Sequence, residues 1–431
     1  MPIPAVGVAR LWRVARQHGM DRRRFLQALT AGGAAAVLAA CGEATTRRTQ
    51  ARFKDTSPFI VHDDGKSLEA RLEDLPEGLI TPVHRFFVRN NSVSLDVDVE
   101  SWRLSIEGDA VSNPIQLSFD DIRRFPSRTL VSYLECAGNQ RAMFDLVKGQ
   151  KAAGTQWKTG GVGCAEWTGV SLRDVLRRAG ISNDAANVLL IGLDSESPEG
   201  GFRRVLPAEK ALHPDTLLAY RMNNDLLRRD HGFPLRALVP GWVGSTSVKW
   251  LGRIEVSKHP IWTRNNTTSY VLIGDAYPPE GGAMGRVTTK QVIKSALALP
   301  WPAELVDRSG GIRRVAYSPD SRGLVGSSVP SSWKRIRGFA HSPDGPITRV
   351  EWSVDLGRTW RDADVWPGRQ YSWATFAFIW NTVAGNYIIM TRATDAAGNT
   401  QPDEIPFNEK GYLFNQPLPH PVTVTPPRQA I

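Results

Sequence analysis

Residues 128–141 have the sequence RTLVSYLECAGNQR. The run before Cys136 is apolar and rich in β-branched and aromatic residues, which is typical of a buried strand, so the cysteine lies where that strand ends. Two small residues follow and leave room for a bulky group to approach the backbone, and Arg141 places a cation nearby. Spacing alone leaves two interpretations open: an inert buried thiol, which is the commoner case, or a thiolate that binds a metal or acts in catalysis.

Strand-like and helix-like segments alternate from Thr81 to about Pro278. In the segment SLRDVLRRAG, apolar residues recur at helical spacing between a candidate N-cap at Ser171 and a stop at Gly180. A second helix is predicted for SFDDIRRF, and strands for RFFVRN, NVLLIGL, LRALVP and VKWLGRIEV. The alternation predicts a mixed α+β domain.

From about Lys290 onward the helical patterns disappear. The segments RIRGFAHS, ITRVEWSVD, WATFAFIWN and NYIIMTRATD have strand character and are separated by turn clusters. This spacing predicts an all-β sandwich of immunoglobulin-like type. Four tryptophans are expected in its core or in a dimer interface: Trp352, Trp360, Trp373 and Trp380.

The length of 431 residues indicates two globular units, and the composition, 41% hydrophobic and 22% charged, is that of a chain with a proper core. We predict a linker at residues 42–75, a mixed domain at 76–288 and the sandwich at 289–425. Residues 1–40 contribute +5 of the formal charge of +10, and no Lys/Arg-rich block follows. The charge therefore argues against a nucleic-acid interface and suits a small anion or an acidic protein partner.

Residues 21–41, DRRRFLQALTAGGAAAVLAAC, match a twin-arginine export signal, which predicts a signal segment at 1–41 and a periplasmic protein. The apolar run 28–40 is too short for a normal transmembrane helix. The LAAC sequence ending at Cys41 resembles a lipoprotein box, with an ordinary cleavage site as the alternative. If Cys41 carries lipid, Cys136 and Cys164 remain to form one disulfide in an oxidising compartment, or to stay free.

Five longer segments occur in order: TPVHRFFVRNN, LECAGNQR, WTGVSLRDVL, RDHGFPLRALVPGWVGSTSVKWLGRIEV and TRATDAAGNTQP. Together they resemble the sulfite oxidase family of molybdenum enzymes over residues 75–410. The resemblance implies a molybdenum–molybdopterin cofactor in the mixed α/β domain and homodimerisation through the immunoglobulin-like domain. The sequence has no Cys-x-x-Cys-His haem site, so a molybdenum-only member is expected.

The resemblance also implies roles for individual residues. Cys136 matches the cysteine whose soft thiolate ligates molybdenum. Arg89, Arg141, Trp157 and Tyr270 match residues of the catalytic anion pocket. Cofactor-binding positions are matched by Phe87, Val88, Arg89, Asn90, Asn91, Asp215, His231, Arg236, Ser247, Val248 and Lys249. Of these, Asp215 is expected to hydrogen-bond the pterin, and residues 247–249 to grip the pterin and its phosphate.

Some positions depart from the family pattern. Asn91 stands where many members have His, Gln140 replaces a frequent Gly or Arg, and Glu166 stands where Arg is common. The segment 262–287 lacks the usual text around the tyrosine. These changes leave cofactor binding intact and leave the substrate open.

The expected activity is oxidation of sulfite to sulfate by oxo transfer, with electrons passed to a c-type cytochrome. One alternative keeps the cofactor and acts on sulfane sulfur of a carrier protein, or reduces an S- or N-oxide. Another is a non-catalytic lipoprotein that serves as a binding module.

Overall fold

The computed structural model describes residues 56–305, 312–313, 334–382 and 384–424, and residues from Ser57 onward belong to one unit. The predicted export signal and Cys41 lie outside the described residues. Residues 42–55 of the predicted linker do too, but residues 59–70 form an antiparallel hairpin rather than an irregular tether. The hairpin buries Leu68 and Glu69, so this segment is part of the folded domain.

The helices are short, and the structure describes five α-helices: α1 (Phe119–Arg124), α2 (Ala142–Lys148), α3 (Leu172–Arg178), α4 (Ala208–Ala211) and α5 (Arg264–Thr267). Helix α1 begins with a capping box in which Ser118 and Asp121 bond each other's backbone N–H. Helix α3 follows Ser171 as predicted, but the Ser171 hydroxyl makes no cap bond. The carbonyl of Thr216 accepts the first N–H instead.

The strands of the first part are β1 (Phe59–His62), β2 (Ser67–Ala70), β3 (Val88–Arg89), β4 (Leu104–Glu107), β5 (Ile115–Leu117), β6 (Ser127–Glu135), β7 (Val162–Ser171), β8 (Asn187–Gly192), β9 (Arg203–Pro207), β10 (Leu217–Met222), β11 (Asp225–Leu226), β12 (Arg236–Leu238), β13 (Leu251–Ser257), β14 (Val271–Leu272) and β15 (Arg286–Val287). One five-stranded sheet has the order β11-β10-β7-β6 with β12 beside β10, and another has the order β5-β4-β13-β8-β9. Helix α3 buries Leu172, Val175 and Leu176 in the core shared by these two sheets. Each such side chain contributes about 1.5–3 kcal/mol.

The strands of the second part are β16 (Lys294–Leu297), β17 (Ala303–Leu305), β18 (Ile312–Arg313), β19 (Lys334–His341), β20 (Ile347–Ser353), β21 (Arg361–Asp362), β22 (Asp364–Trp366), β23 (Ala374–Trp380), β24 (Gly385–Asp395) and β25 (His420–Val424). They form a four-stranded sheet, β16-β19-β23-β22, and a six-stranded sheet, β18-β17-β25-β24-β20-β21. Trp352 of one sheet stacks on Phe378 of the other at 4.4 Å. The predicted all-β sandwich, and with it the α+β fold class, is confirmed.

Three of the four tryptophans predicted for the sandwich core are buried: Trp352, Trp373 and Trp380. Trp360 is half-buried, with the Arg392 guanidinium 4.4 Å from its ring. Trp373 lies in a separate apolar cluster that joins the sandwich to β6 and β7. The sandwich thus packs directly on the strand that leads to Cys136.

A glycine between β4 and β5 gives a test of how closely the chain packs against β13 in the first part. Gly108 has φ +122°, and a Cβ there would overlap the backbone of Val256 in β13, whereas Gly78 has φ +124° and open space around it. Both Ala substitutions strain the backbone, by about 1–3 kcal/mol, but only Gly108→Ala adds overpacking, of about 1–3 kcal/mol more. We expect the midpoint of urea unfolding to fall further for Gly108→Ala than for Gly78→Ala. Equal losses would contradict the close contact between Gly108 and β13.

Candidate active site

The turn after β6 presents Cys136 to two adjoining cavities. The Cys136 N–H donates to the Gly161 carbonyl, and the Cys136 carbonyl accepts from the Asn139 N–H, both at 2.9 Å. The Asn139 side chain donates to Glu135 Oε1 (2.8 Å) and accepts from the Gly161 N–H (2.9 Å). The backbone around the half-buried cysteine is therefore fixed by bonds that leave its sulfur available to a ligand.

Cys136 and Cys164 are both free thiols, so the disulfide considered from the sequence is wrong. Cys164, on β7, is fully buried, and burial raises the pKa of its thiol to about 12. A neutral thiol in this setting is unreactive. In the part of the chain that the structure describes, no group of three or more His, Cys, Asp or Glu side chains is arranged to hold a metal ion. Cys136 is thus a free, half-buried thiol with no cluster of further metal-binding side chains around it in the described residues.

The first cavity has about 730 Å³ of space, counted out to its open mouth. Most residues predicted to bind a cofactor line it: Phe87, Val88, Arg89, Asn90, Asn91, Cys136, His231, Arg236, Ser247, Val248 and Lys249, together with Tyr270. They come from β3 and its flanks, the turn after β6, the turn before β12, β12 itself, the segment between β12 and β13, and the residue before β14. The fold thus brings together residues separated by more than a hundred positions in sequence.

Asp215 is placed elsewhere. It pairs with Arg128 at 2.9 Å, and its N–H donates to the His213 ring. Among the described residues that line the two cavities, the acids of the first are Asp194 and Asp230, so the prediction for Asp215 does not agree with the structure. An acid that follows a helix and precedes a strand has no local pattern that shows which end of the sheet it faces.

Two buried cations dominate the first cavity. Arg236 donates to the carbonyls of His231 (3.0 Å) and Ser247 (2.9 Å), and within the described residues no carboxylate is recorded in ion-pair contact with it. Lys249 donates to the Asp230 carbonyl (2.9 Å) and to the Asn90 side chain. Burial lowers the pKa of Arg236 to about 9, and burial together with Arg236 lowers that of Lys249 to about 7. Excess positive charge out of water favours an anionic ligand.

His231 lies between these cations and is buried. Burial, then Lys249 and Arg236, lower the pKa of His231 to about 3, so the imidazole is neutral at physiological pH. In the described structure, Ser245 Oγ and Asp230 Oδ1 are buried without a hydrogen-bond partner. Unsatisfied buried polar atoms are rare, and both of these residues line the first cavity. Their positions fit a polar ligand.

The second cavity, with about 1030 Å³ of space counted out to its open mouth, shares Arg89, Asn90, Asn91, Cys136 and Tyr270 with the first. Three further cations line it, Lys66, Arg141 and Lys410, against the one carboxylate of Asp63 among its described lining residues. Although burial opposes ionisation of Asp63, hydrogen bonds from Thr155 and Ser67 hold its pKa below the ordinary value. Four cations against one anion favour a negatively charged substrate.

Arg141 is held more tightly than a surface arginine. Its Nε donates to the Lys410 carbonyl (2.6 Å) and an Nη donates to the Thr155 carbonyl (2.7 Å). A Cβ at three glycines would lie within 3 Å of its side chain: Gly138, Gly154 and Gly411. The glycines leave space for the side chain, and the two carbonyl bonds orient the guanidinium in advance of any ligand.

Tyr270 is held by aromatic contacts. Its ring stacks on Tyr412 at 5.5 Å, and the Arg204 guanidinium lies 5.1 Å from its centroid. Its backbone has φ +51°, and its carbonyl accepts from both the N–H and the hydroxyl of Thr288. These contacts hold the Tyr270 side chain in one position, where it lines both cavities.

Trp157 lines the second cavity and is fully buried. Its ring packs against Phe87 and His62, and its Nε1 is a buried donor with no hydrogen-bond partner in the described structure. Among the predicted site residues, Trp157 and Arg141 are therefore the two that line the second cavity but not the first. Lys66, Lys410 and Tyr412 were not predicted, because the first precedes and the others follow every motif around Cys136.

The comparisons with known proteins agree with this geometry. A family model described as "Oxidoreductase molybdopterin binding domain" matches residues 90–265, and one described as "Mo-co oxidoreductase dimerisation domain" matches residues 310–424. The sulfite oxidase of Gallus gallus is 32% identical over 80% of this chain and 73% of its own. The mitochondrial sulfite oxidase of Mus musculus is 32% identical over 80% of this chain, which spans 61% of that relative's length.

A nitrate reductase [NADH] of Phaseolus vulgaris is 30% identical over 79% of this chain and 39% of its own. Among solved structures, the sulfane dehydrogenase SoxCD from Paracoccus pantotrophus has a TM-score of 0.69 at 24% identity, covering 88% of this chain and 92% of that one. That likeness shows the fold. In the described residues, no helix is long and apolar enough to cross a membrane.

Lys249 gives a test of the first cavity. Lys249→Met removes one of the two buried cations, and losing a charge-assisted hydrogen bond costs about 1.5–3 kcal/mol, or roughly tenfold to a hundredfold in affinity. We expect the purified variant to retain much less molybdenum per chain than the wild type, measured by elemental analysis. Lys258→Met is the matched control, since Lys258 follows β13 and pairs with exposed Asp184. Equal molybdenum in all three proteins would show that Lys249 does not hold the cofactor.

Proposed function

The chain belongs to the sulfite oxidase family of molybdopterin-dependent oxidoreductases, and we propose that it oxidises sulfite. Sulfite and water give sulfate, two protons and two electrons in this reaction. The observation that carries the proposal is the second cavity, where the Cys136 thiol, Tyr270 and four cations surround one space. A doubly charged oxyanion suits that charge balance.

The residues of the first cavity fit the cofactor. Arg236 and Lys249 offer buried positive charge to its phosphate, and Ser245 and Asp230 offer unsatisfied polar atoms to its pterin. Cys136 offers a thiolate to molybdenum, a soft ligand for such a metal. When bound, the molybdenum cofactor supplies oxygen-atom transfer and accepts two electrons.

The chain's own residues bind and orient the substrate. Arg141, oriented by two backbone carbonyls, and Arg89 on β3 hold the oxyanion through charge-assisted hydrogen bonds. The Trp157 Nε1 donor is free to bond one substrate oxygen. Because the guanidinium of Arg141 needs no rearrangement, its interaction is available when charge develops in the transition state.

Tyr270 orients the oxygen that is transferred. Its hydroxyl-bearing ring is stacked on Tyr412, and burial, with Tyr270 beside it, raises the pKa of Tyr412 to about 12. Tyr412 is therefore a neutral platform that keeps the Tyr270 ring in place. Tyr270 supplies a hydroxyl donor at the boundary between the two cavities.

The electrons leave to a separate acceptor, for which we propose a c-type cytochrome. The three cysteines of the sequence, Cys41, Cys136 and Cys164, cannot form a Cys-x-x-Cys-His haem site. We further propose export by the twin-arginine route to the periplasm, with a lipid anchor at Cys41, and a homodimer formed through residues 289–425. The dimerisation-domain match to residues 310–424 supports the last of these.

The open mouth of the second cavity favours one alternative substrate, the sulfane sulfur of a carrier protein. The space of about 1030 Å³ includes the open mouth of the cavity, so an extended arm that ends in sulfur can enter it from solvent. The same cations would hold the oxyanion product. The alternative keeps the cofactor and the anion pocket and changes only the substrate that enters.

The deciding assay uses purified, molybdenum-loaded protein with ferricyanide or cytochrome c as acceptor. Sulfite should drive acceptor reduction and yield stoichiometric sulfate, while sulfane sulfur on a synthetic cysteine-persulfide peptide should not. Activity with the persulfide peptide but not with sulfite would identify sulfane sulfur as the substrate. Activity with neither, in protein that contains molybdenum, would overturn the proposal.

Arg141→Gln tests the anion pocket. Removing the guanidinium takes away charge-assisted bonds of about 1.5–3 kcal/mol, so the KM for sulfite should rise roughly tenfold to a hundredfold. Molybdenum content and the thermal midpoint, measured on the same sample, separate this effect from loss of cofactor or of folding. Arg128→Gln is the control, because Arg128 is exposed and pairs with Asp215 outside both cavities. A wild-type KM in the Arg141 variant would show that Arg141 does not bind sulfite.

A further inference from the structure

The residue before Cys136 is a buried carboxylate. Glu135, the last residue of β6, is fully buried, and its Oε1 accepts from Lys294 Nζ at 2.8 Å. Lys294 is 2% exposed. Moving two charges out of water is costly, and a buried pair of this kind often adds little net stability compared with apolar side chains. Its presence beside the metal-binding thiol therefore calls for a role other than stability.

The pair is bonded to the turn that carries the thiol. Asn139 Nδ2 donates to the same Glu135 Oε1 at 2.8 Å, and Lys294 Nζ lies 3.5 Å from the Asn139 carbonyl oxygen. Gln291 Nε2 donates to the Glu135 backbone carbonyl at 3.1 Å. Cys136 therefore lies between Glu135 and Asn139, and hydrogen bonds hold both of these residues in place. Lys294 and the turn are linked through Glu135 Oε1, the atom that accepts from both Lys294 and Asn139.

The anchoring groups come from the sandwich. Lys294 begins β16 and His341 ends β19, and these two residues are register partners in the antiparallel pair. His341 Nε2 lies 3.4 Å from Glu135 Oε2, and its ring stacks on Tyr133 at 4.2 Å. Burial lowers the pKa of His341 to about 4, so the imidazole is neutral and Lys294 alone balances the carboxylate among these neighbours. One sheet edge thus presents a cation and a neutral ring to the strand that ends at the thiol.

We propose that the Glu135–Lys294 pair is a positioning device through which the sandwich sets the orientation of the Cys136 thiolate. Both residues act through the turn and touch neither cavity. The inference rests on Cys136 as the cofactor ligand and is independent of which sulfur compound is oxidised. The C-terminal domain is then part of the metal site's geometry and not only a means of association.

The test removes both charges at once. Glu135→Gln/Lys294→Met leaves no unpaired buried charge, and Arg335→Met is the matched control, because Arg335 on β19 pairs with exposed Glu77 across the same two parts of the chain. All variants carry Cys41→Ser, so that Cys136 is the accessible thiol and Cys164 stays buried. The first readout is the iodoacetamide alkylation rate of Cys136 in the cofactor-free chain. The second is the thiolate-to-molybdenum charge-transfer band of the loaded protein.

We expect the double variant to fold, with Cys136 alkylated at least about fivefold faster because the turn opens locally, and with the charge-transfer band shifted. Arg335→Met should show neither change. If the double variant does not fold, Glu135→Asp decides by the same readouts, since it keeps the charge and shortens the link to Lys294. A folded variant with wild-type alkylation and spectrum would overturn the proposal. Neither readout uses sulfite turnover, so failure here is distinct from failure of the proposed function.

Discussion

The nine-pair antiparallel ladder between β6 and β7 is the constraint on which the site depends. Cys136 follows its last pair directly. One face of β6 contributes Leu134 to the first cavity, and the other contributes Tyr133 to the apolar cluster shared with the sandwich. Because side chains alternate across a strand, a slip of one residue would exchange these faces. The position of the thiol and the packing of the sandwich are therefore set by a single register.

Positive charge is the second organising feature, and it links stability to ligand binding. Arg236 and Lys249 are buried at an electrostatic cost that their bonds to carbonyl oxygens offset only in part. An anion that binds the folded chain and not the unfolded chain stabilises the fold by its binding free energy. Arg141 differs, because bonds to two backbone carbonyls orient it with or without a ligand. Ligand binding thus stabilises the first cavity most, whereas Arg141 in the second cavity is already in position before a ligand binds.

Local pattern was enough to predict the strand that ends at Cys136, the helix after Ser171 and the sandwich strands, because each depends on periodicity and turn residues within a few positions. The family resemblance added Arg236 and Lys249, which the fold brings to one cavity. It was wrong for Asp215, since an acid's chain position does not show which sheet edge it faces. The hairpin at residues 59–70 was missed because charged and polar residues follow its short apolar run FIV, and one of them, Glu69, is buried although its type favours the surface. Lys410 and Tyr412 join the site by long-range closure, which no local pattern encodes.

The path of the chain around the second cavity has a consequence for biosynthesis. Every described residue that lines the first cavity lies between Phe86 and Tyr270, whereas Lys410 and Tyr412 close the second cavity more than 270 residues after Cys136. A ribosome makes these parts in that order. The nascent chain therefore contains all the described lining residues of the first cavity while Lys410 and Tyr412 of the second cavity are still missing. The side chains of the first cavity are therefore made first, while the second cavity and the Lys294 contact to Glu135 are both completed only when the sandwich has been made.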